Sequence, residues 1–331
     1  MSLGDSITAV IPVHNRADLL AQLLDSIAAQ TEPFTQVIVV DNASADNAAD
    51  VARARGCTVL HQPGNIGFAR AVNLGWRAAA GSQWIAILNS DVTLDPHWVE
   101  RLVSAAASCS FAAGTIFNAT DRQAIDGTYD LLSRAGCAWR AGHGERNQTP
   151  GKQTHIAVAP GTACIFRRDV LEQLNGFDEE FESYLEDVDL GLRCVREGYT
   201  GMYVPDAVAW HHGSATLGRW NPRIVRLISR NQLLLIRRHY DPQLFRTCFW
   251  PIVTGQLLWG LVALRHGAVL AWMAGKFDAL KSFKPEGRPS PRLRAFLAAS
   301  EDEIRHRARD PYWRWYFRLT APFAGPSGVA H

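Results

Sequence analysis

From Ser6 onward the chain alternates two hydrophobic patterns. Runs without a charged residue, SITAVIPVH, QVIVV, CTVLH and WIAIL, have the β-branched content of strands buried on both faces. Between them the apolar positions switch to a helical period. Ala17 to Ala29 places Leu19, Leu20, Leu23, Leu24 and Ile27 on one face, a second helix is expected from about Ala45, and a third runs through ARAVNLGWRAAA. Strand and helix alternating through short connections predict an α/β fold class with a mostly parallel central sheet covered on both faces. Such sheets bind ligands beyond the carboxyl ends of their strands. Those ends hold Pro12 to Arg16, Asp41 to Ser44, Asn65 to Gly67 and Asn89 to Asp91, so polar residues gather where a ligand would sit.

The residues after the first strand narrow the type of ligand. Neither G-x-G-x-x-G nor G-x-x-x-x-G-K-[ST] occurs there, which argues against dinucleotide and P-loop chemistry. Without a glycine cradle, a diphosphate can be held through a divalent cation on a strand-end carboxylate such as Asp91. Asp41 can accept a hydrogen bond from a base N–H, as on uracil or thymine. Local chemistry offers alternatives: Asp41 could open the next helix as a cap, and Asp91, ahead of Asp95-Pro96, could belong to a turn.

The second half supplies GFDEEFESYLEDVDLGLR, residues 176 to 193. Asp189 and Arg193, four apart, read as a surface helix pair. Glu186 and Asp187 come after Phe181, Tyr184 and Leu185 and open an amphipathic helix, so a partly shielded carboxylate there can act as a general base. TGMYVPDAVAWHHGS reads as two short strands ending at His211 and His212, candidates for a metal or phosphate contact.

In this order IPVHNR, VVDNASAD, GNIGFARAVNLGWRAA, LNSDV, GTACIFRRDVLEQLNGFDEEF, YLEDVDLGLR and AWHHGS resemble the family 2 glycosyltransferases of GT-A fold, and within them a bacterial rhamnosyltransferase-like branch that builds surface polysaccharides. The resemblance covers about residues 6 to 240. It implies a donor nucleotide site at Pro12, His14, Arg16 and Asp41, with Asn65 and Asn89 beside it. It implies Mg2+ or Mn2+ on Asp91 and His211. The family's D-x-D element reads Asn89-Ser90-Asp91 here, so its first acid is missing. The E-D pair maps onto Glu186-Asp187 with Asp187 as base, and Gly161, Thr162 and Trp139 are candidates for shaping the acceptor pocket. The implied reaction is inverting transfer from a nucleotide-diphosphate sugar, best matched by dTDP-rhamnose, to a saccharide or lipid-linked saccharide. A UDP-hexose donor, a silent sugar-nucleotide or polysaccharide binding module and a sugar nucleotidyltransferase are the competing readings.

Charge changes the picture only in the C-terminal third. Residues 207 to 300 hold fourteen Lys/Arg against three Asp/Glu, although the whole chain of 331 residues is only +2. Inside that region FWPIVTGQLLWGLVAL runs without a charge, short for a span and interrupted by Pro251 and Gly255. With Trp250, Trp259, Trp272, Lys276, Lys281, Lys284 and Arg288 it predicts an interfacial helical hairpin on an anionic membrane surface; a helical subdomain packed on the catalytic domain or a homo-oligomer contact is the alternative. Nucleic acid fits less well, because the arginines lie beside an apolar segment. The expected division is a catalytic domain over 1–220, with a nucleotide half to about 110 and an acceptor half from 111, and then a helical region over 221–331. Residues 284 to 292 read as a linker and the last ten as a frayed tail. Six scattered cysteines without a C-x-x-C pair suggest a reducing compartment, and MSLGDSITAV has no secretory pattern, so a peripheral place on the cytoplasmic face is expected.

Overall fold

The computed structural model describes residues 6–79, 81–146, 151–213, 220–281 and 283–321. The chain divides into two compact units: residues 1–130 with 140–218, and residues 131–139 with 219–331. The expected frayed tail and the end of AWHHGS lie outside the described residues.

The first unit begins β1 (Ile7–Val13), α1 (Ala17–Ala28), β2 (Gln36–Asp41), α2 (Ala48–Ala54), β3 (Thr58–His61), α3 (Phe68–Ala78) and β4 (Trp84–Leu88). It continues β5 (Val92–Leu94), α4 (Trp98–Ala105), β6 (Phe111–Asn118) and β7 (Ile125–Gly127). After β8 (Asp130–Leu132) and β9 (Ala138–Arg140), which form a small separate sheet and of which residues 131–139 belong to the second unit, come β10 (Thr154–Ile156), β11 (Ala163–Arg167), α5 (Arg168–Gln173), α6 (Glu186–Glu197) and β12 (Gly201–His211). The large sheet has the order β10-β12-β6-β11-β4-β1-β2-β3, with β5 on β12 and β7 on β6. It is parallel from β4 through β3 and between β6 and β12, while β11 is antiparallel to both its neighbours.

Burial explains the strand pattern. Every residue of β1 and β4 is buried, since helices cover both faces, and α1 packs Leu19, Leu20, Leu23, Leu24 and Ile27 inward. Each such aliphatic side chain contributes about 1.5–3 kcal/mol when fully buried. Strand order reverses between β4 and β1. Their pairing ends at Val10–Ile87, so Pro12, which lacks an N–H, removes no bond on that side, and a crevice opens there.

Local details depart from the sequence reading. The second helix starts at Ala48, three residues late, because Asp41 to Asp46 are used in loop hydrogen bonds. The two short strands expected before His211 are one, β12, with a register shift between Val204 and Val208 across Pro205. The Asp189–Arg193 pair, at 2.8 Å, has its carboxylate buried and is no surface contact.

In the second unit α7 (Pro222–His239), α8 (Pro242–Arg265), α9 (Val269–Leu280), α10 (Pro291–Arg307) and α11 (Pro311–Thr320) succeed one another along the chain. The expected linker is extended only to Ser290, whose hydroxyl caps α10. Lys276 is not a flanking cation. It is buried and donates to the Ser229 carbonyl (2.7 Å), Gln232 Oε1 (3.1 Å) and Gln256 Oε1. Trp259 and Trp272 are half-buried, Trp259 donating to Ser229 Oγ, so of the three tryptophans only Trp250 is well exposed.

Candidate active site

At the crevice, the loops after β1 and β2 are tied together. His14 Nδ1 lies 2.8 Å from the Asn42 carbonyl, Asn15 N–H donates to Ser44 Oγ, Ala45 N–H to Asn15 Oδ1, and Ala17 N–H to Asp46 Oδ2. These bonds hold Asn15 and Arg16 at φ 64° and 65°, left-handed values that ordinary side chains adopt at a cost of about 1–3 kcal/mol. Asp41 is buried and is no helix cap: Oδ1 accepts from Ser44 N–H (2.9 Å) and Oδ2 faces His61 Nδ1 (2.8 Å). Burial alone would raise its pKa, but the bonds from Ser44 and His61 outweigh it and hold the carboxyl below the usual range. Beside it Asn42 donates to the Gly67 carbonyl, and Asn65 Oδ1 accepts from Gly67 N–H. Arg16 pairs with Asp18 at 2.9 Å, which raises its pKa, and Asp91 adds to that rise, so the guanidinium lies within the field of the next acid.

Asp91 and His211, 120 positions apart, meet because β5 pairs with β12: Val92 lies opposite His211, and His212 N–H donates to the Asp91 carbonyl. His211 Nε2 is 3.3 Å from Asp91 Oδ1, and its Nδ1 is 2.9 Å from Asp126 Oδ2. Burial would lower the imidazole pKa, yet the two carboxylates push it up to about 9. Asp91 and, once its Nε2 gives up its proton, His211 would hold a divalent cation. Among the described residues no group of three His, Cys, Asp or Glu converges on one point, so diphosphate and water would complete the shell.

Asp187 stands at the second position of α6. Its Oδ2 accepts from Gly161 N–H at 2.9 Å and Oδ1 from Val188 N–H at 2.8 Å. The next residue of the same turn, Thr162, accepts from Asn89 N–H through its carbonyl, also at 2.9 Å. One turn therefore fixes the base candidate to the strand end that bears Asp91. The chain enters α6 through Glu182, Tyr184 and Leu185 at φ 61°, 69° and 67°; Glu182 and Ser183 accept from the first N–H groups of α3, at Ala69 and Phe68. Gly67 is required there, since a Cβ would lie 2.9 Å from the Glu182 carbonyl oxygen. Glu186 is buried, its Oε2 has no hydrogen-bond partner among the described residues, and burial with the adjacent Asp187 charge drives its pKa well up.

Three residues of this site have no signal in the sequence: Asp126, Asp130 and Arg140. Arg140 Nε is 3.4 Å from Asp130 Oδ1 and Nη1 is 3.7 Å from Asp126 Oδ2. Burial raises Asp130 to about 6 against the pull of Arg140, and Asp187 adds to the rise, while Arg140 is itself pushed up by Asp130, Asp126 and Asp187 against its own burial. The guanidinium thus couples the acid behind His211 to the acids around Asp187. Its stem crosses Gly127 so closely that a Cβ there would collide with Cγ and Cδ. Trp139, by contrast, belongs to the second unit, where Arg307 stacks over its ring at 5.7 Å.

Residues 8–174 match the model of glycosyl transferase family 2. The chain is 28% identical over 244 residues to the N-acetylglucosaminyl-diphospho-decaprenol L-rhamnosyltransferase of Mycobacterium tuberculosis, covering 66% of this chain and 79% of that one. Two solved structures share the fold. The Pyrobaculum calidifontis mannosyltransferase PcManGT, in complex with GDP-Man and Mn2+, superposes with TM-score 0.53 at 19% identity, covering 97% of this chain and 86% of that one. GalNAc-T7 with UDP, GalNAc and Mn2+ gives 0.62 at 12% identity, covering 86% and 59%. The sheet, its crevice and the family match agree: this chain is a glycosyltransferase of GT-A fold and belongs to glycosyl transferase family 2.

Proposed function

We propose that the chain performs inverting transfer of a sugar from a nucleotide-diphosphate donor to a saccharide hydroxyl, with Asp187 as base. The observation that carries this reading is the placement of Asp187 at the N-terminus of α6, where its carboxylate accepts from the Gly161 and Val188 N–H groups and is only part-buried, so it can meet an acceptor hydroxyl, whereas the adjacent Glu186 is buried. Asp187 takes the acceptor proton, the acceptor oxygen forms the new bond to the anomeric carbon, and the bond from that carbon to the diphosphate oxygen breaks on the opposite face. The departing diphosphate carries away the electron pair. Asp41 would accept from the base, with His14 and Arg16 along the nucleotide and Asn65 and Asn89 beside it. Asp91 and the Nε2 of His211 would hold Mg2+ or Mn2+, which neutralises diphosphate charge. Gly161 and Thr162 border the acceptor side.

The donor is proposed to be dTDP-rhamnose, supported by the rhamnosyltransferase relative, and the acceptor a lipid-linked or polymeric saccharide. Thermal midpoints with dTDP-rhamnose, UDP-glucose, UDP-galactose and GDP-mannose, each with and without Mn2+, test this. A ligand at a hundred times its Kd adds about 2.7 kcal/mol of native-state stability, so the true donor gives the largest, cation-dependent rise. A larger rise with a UDP-hexose would replace rhamnose as the donor sugar.

A further inference from the structure

The second unit leaves a two-helix apolar face uncovered. On α8, Leu257, Leu261 and Leu264 repeat at helical spacing, and on α9, Leu270, Met273, Phe277 and Leu280 do the same, all 54–77% exposed. The two helices are joined by a turn over residues 266–268 and touch where Trp272 lies against Gly260. The ends of the face are basic: Arg246 and Arg265 on α8, Lys281 and Lys284 after α9, all exposed. The acid of α9, Asp278, is tied to Arg226 at 2.6 Å and lies 3.8 Å from Lys281, which at 61% exposure stays open to solvent.

We propose that this face lies in the headgroup region of an anionic lipid leaflet, α8 and α9 side by side and parallel to the surface. An apolar patch bordered by cations matches such a leaflet, the apolar side chains entering it while the cations meet the surrounding anionic headgroups, whereas a protein partner would need its own acidic rim. α8, at 24 residues, is long and apolar enough to cross a bilayer by composition. Its opposite face excludes that, because it is built into protein: Gln256 donates to the Ala135 carbonyl at 2.7 Å and holds Lys276, Tyr312 O–H donates to the Gly255 carbonyl, and Cys248 and Ile252 are buried. Because the polar groups of one face are bonded into the second unit along most of its length and the apolar residues are confined to the other face, the proposal lays α8 on the membrane and not through it. A membrane site would bring a lipid-linked acceptor to the enzyme, although the inference needs no part of the reaction scheme.

Vesicle co-sedimentation of the full chain tests it without donor or acceptor. The protein is expected to sediment with phosphatidylcholine vesicles containing phosphatidylglycerol and to bind phosphatidylcholine alone more weakly. Leu261→Gln with Phe277→Gln should weaken partition by about tenfold or more, and Arg265→Gln with Lys281→Gln by about tenfold on anionic vesicles only. These side chains are exposed, and an unchanged circular dichroism spectrum and thermal midpoint establish that the variants fold. Wild-type protein that stays in the supernatant with both vesicles overturns the proposal. So does a wild-type dimer, seen by light scattering, that the apolar variant dissolves, because the face would then belong to a second copy of the chain.

Discussion

Asp126 is the side chain on which the proposed cation site depends. By accepting from Nδ1 of His211 it fixes the imidazole and points Nε2 at Asp91. Asp126→Asn is expected to lower Mn2+ affinity, measured by calorimetry with a nucleoside diphosphate present, by about 10–100-fold without changing the fold; an unchanged affinity would remove Asp126 from that role. Glu186→Gln makes the opposite forecast. Because burial drives its pKa well up, the uncharged amide should keep turnover within a few-fold, while Glu186→Ala should lose more by leaving a cavity beside Asp187. If the glutamine variant lost as much as a substitution of Asp187, Glu186 would be the base. Asp41, Asp91 and Asp187 were legible in the sequence because each ends a strand or opens a helix of clear period. Asp126 and Arg140 were not, since IDG and AWR sit in short strands too irregular for any pattern, and pairing between distant segments brings them to the site.

At the scale of elements, the site depends on close approach between strands. β12 delivers His211 to Asp91 through β5 and to Asp126 beside β6, and its bulge at Pro205 explains why a single strand reads as two. Gly127 on β7 leaves the space through which Arg140 reaches Asp126 and Asp130. Gly127→Ala should therefore displace the guanidinium, lower stability by about 1–3 kcal/mol and reduce transfer, as tracked by urea denaturation and initial rates. Wild-type stability in that variant would show that the stem can shift freely. β1 to β4 and the helices between them were readable to within about three residues, because buried parallel strands and amphipathic helices have strong periods. β7 to β10 were less so, since they have three residues each.

For the whole molecule, the same apolar composition serves two ends: a covered sheet in one unit and an uncovered helical face in the other. Lys276 marks the difference, as its place in the sequence suggested a surface cation and burial makes it an internal cross-link. Burial pulls its pKa from 10.5 down to about 7, against a smaller upward pull from Cys137. Between those values the unfolded chain binds the proton and the folded chain does not, so stability should rise with pH across that window and be insensitive to this group below it. Lys276→Met removes the dependence; the wild-type advantage over the variant in denaturant should grow from pH ~7 to ~9, and a constant difference would contradict it. The proposed transfer depends on Asp187. The decisive measurement is Asp187→Asn, with transfer rate and donor affinity determined on the same preparation. A rate reduced by about 10²–10⁴-fold with donor affinity nearly unchanged is the predicted result. Turnover near wild type would contradict it.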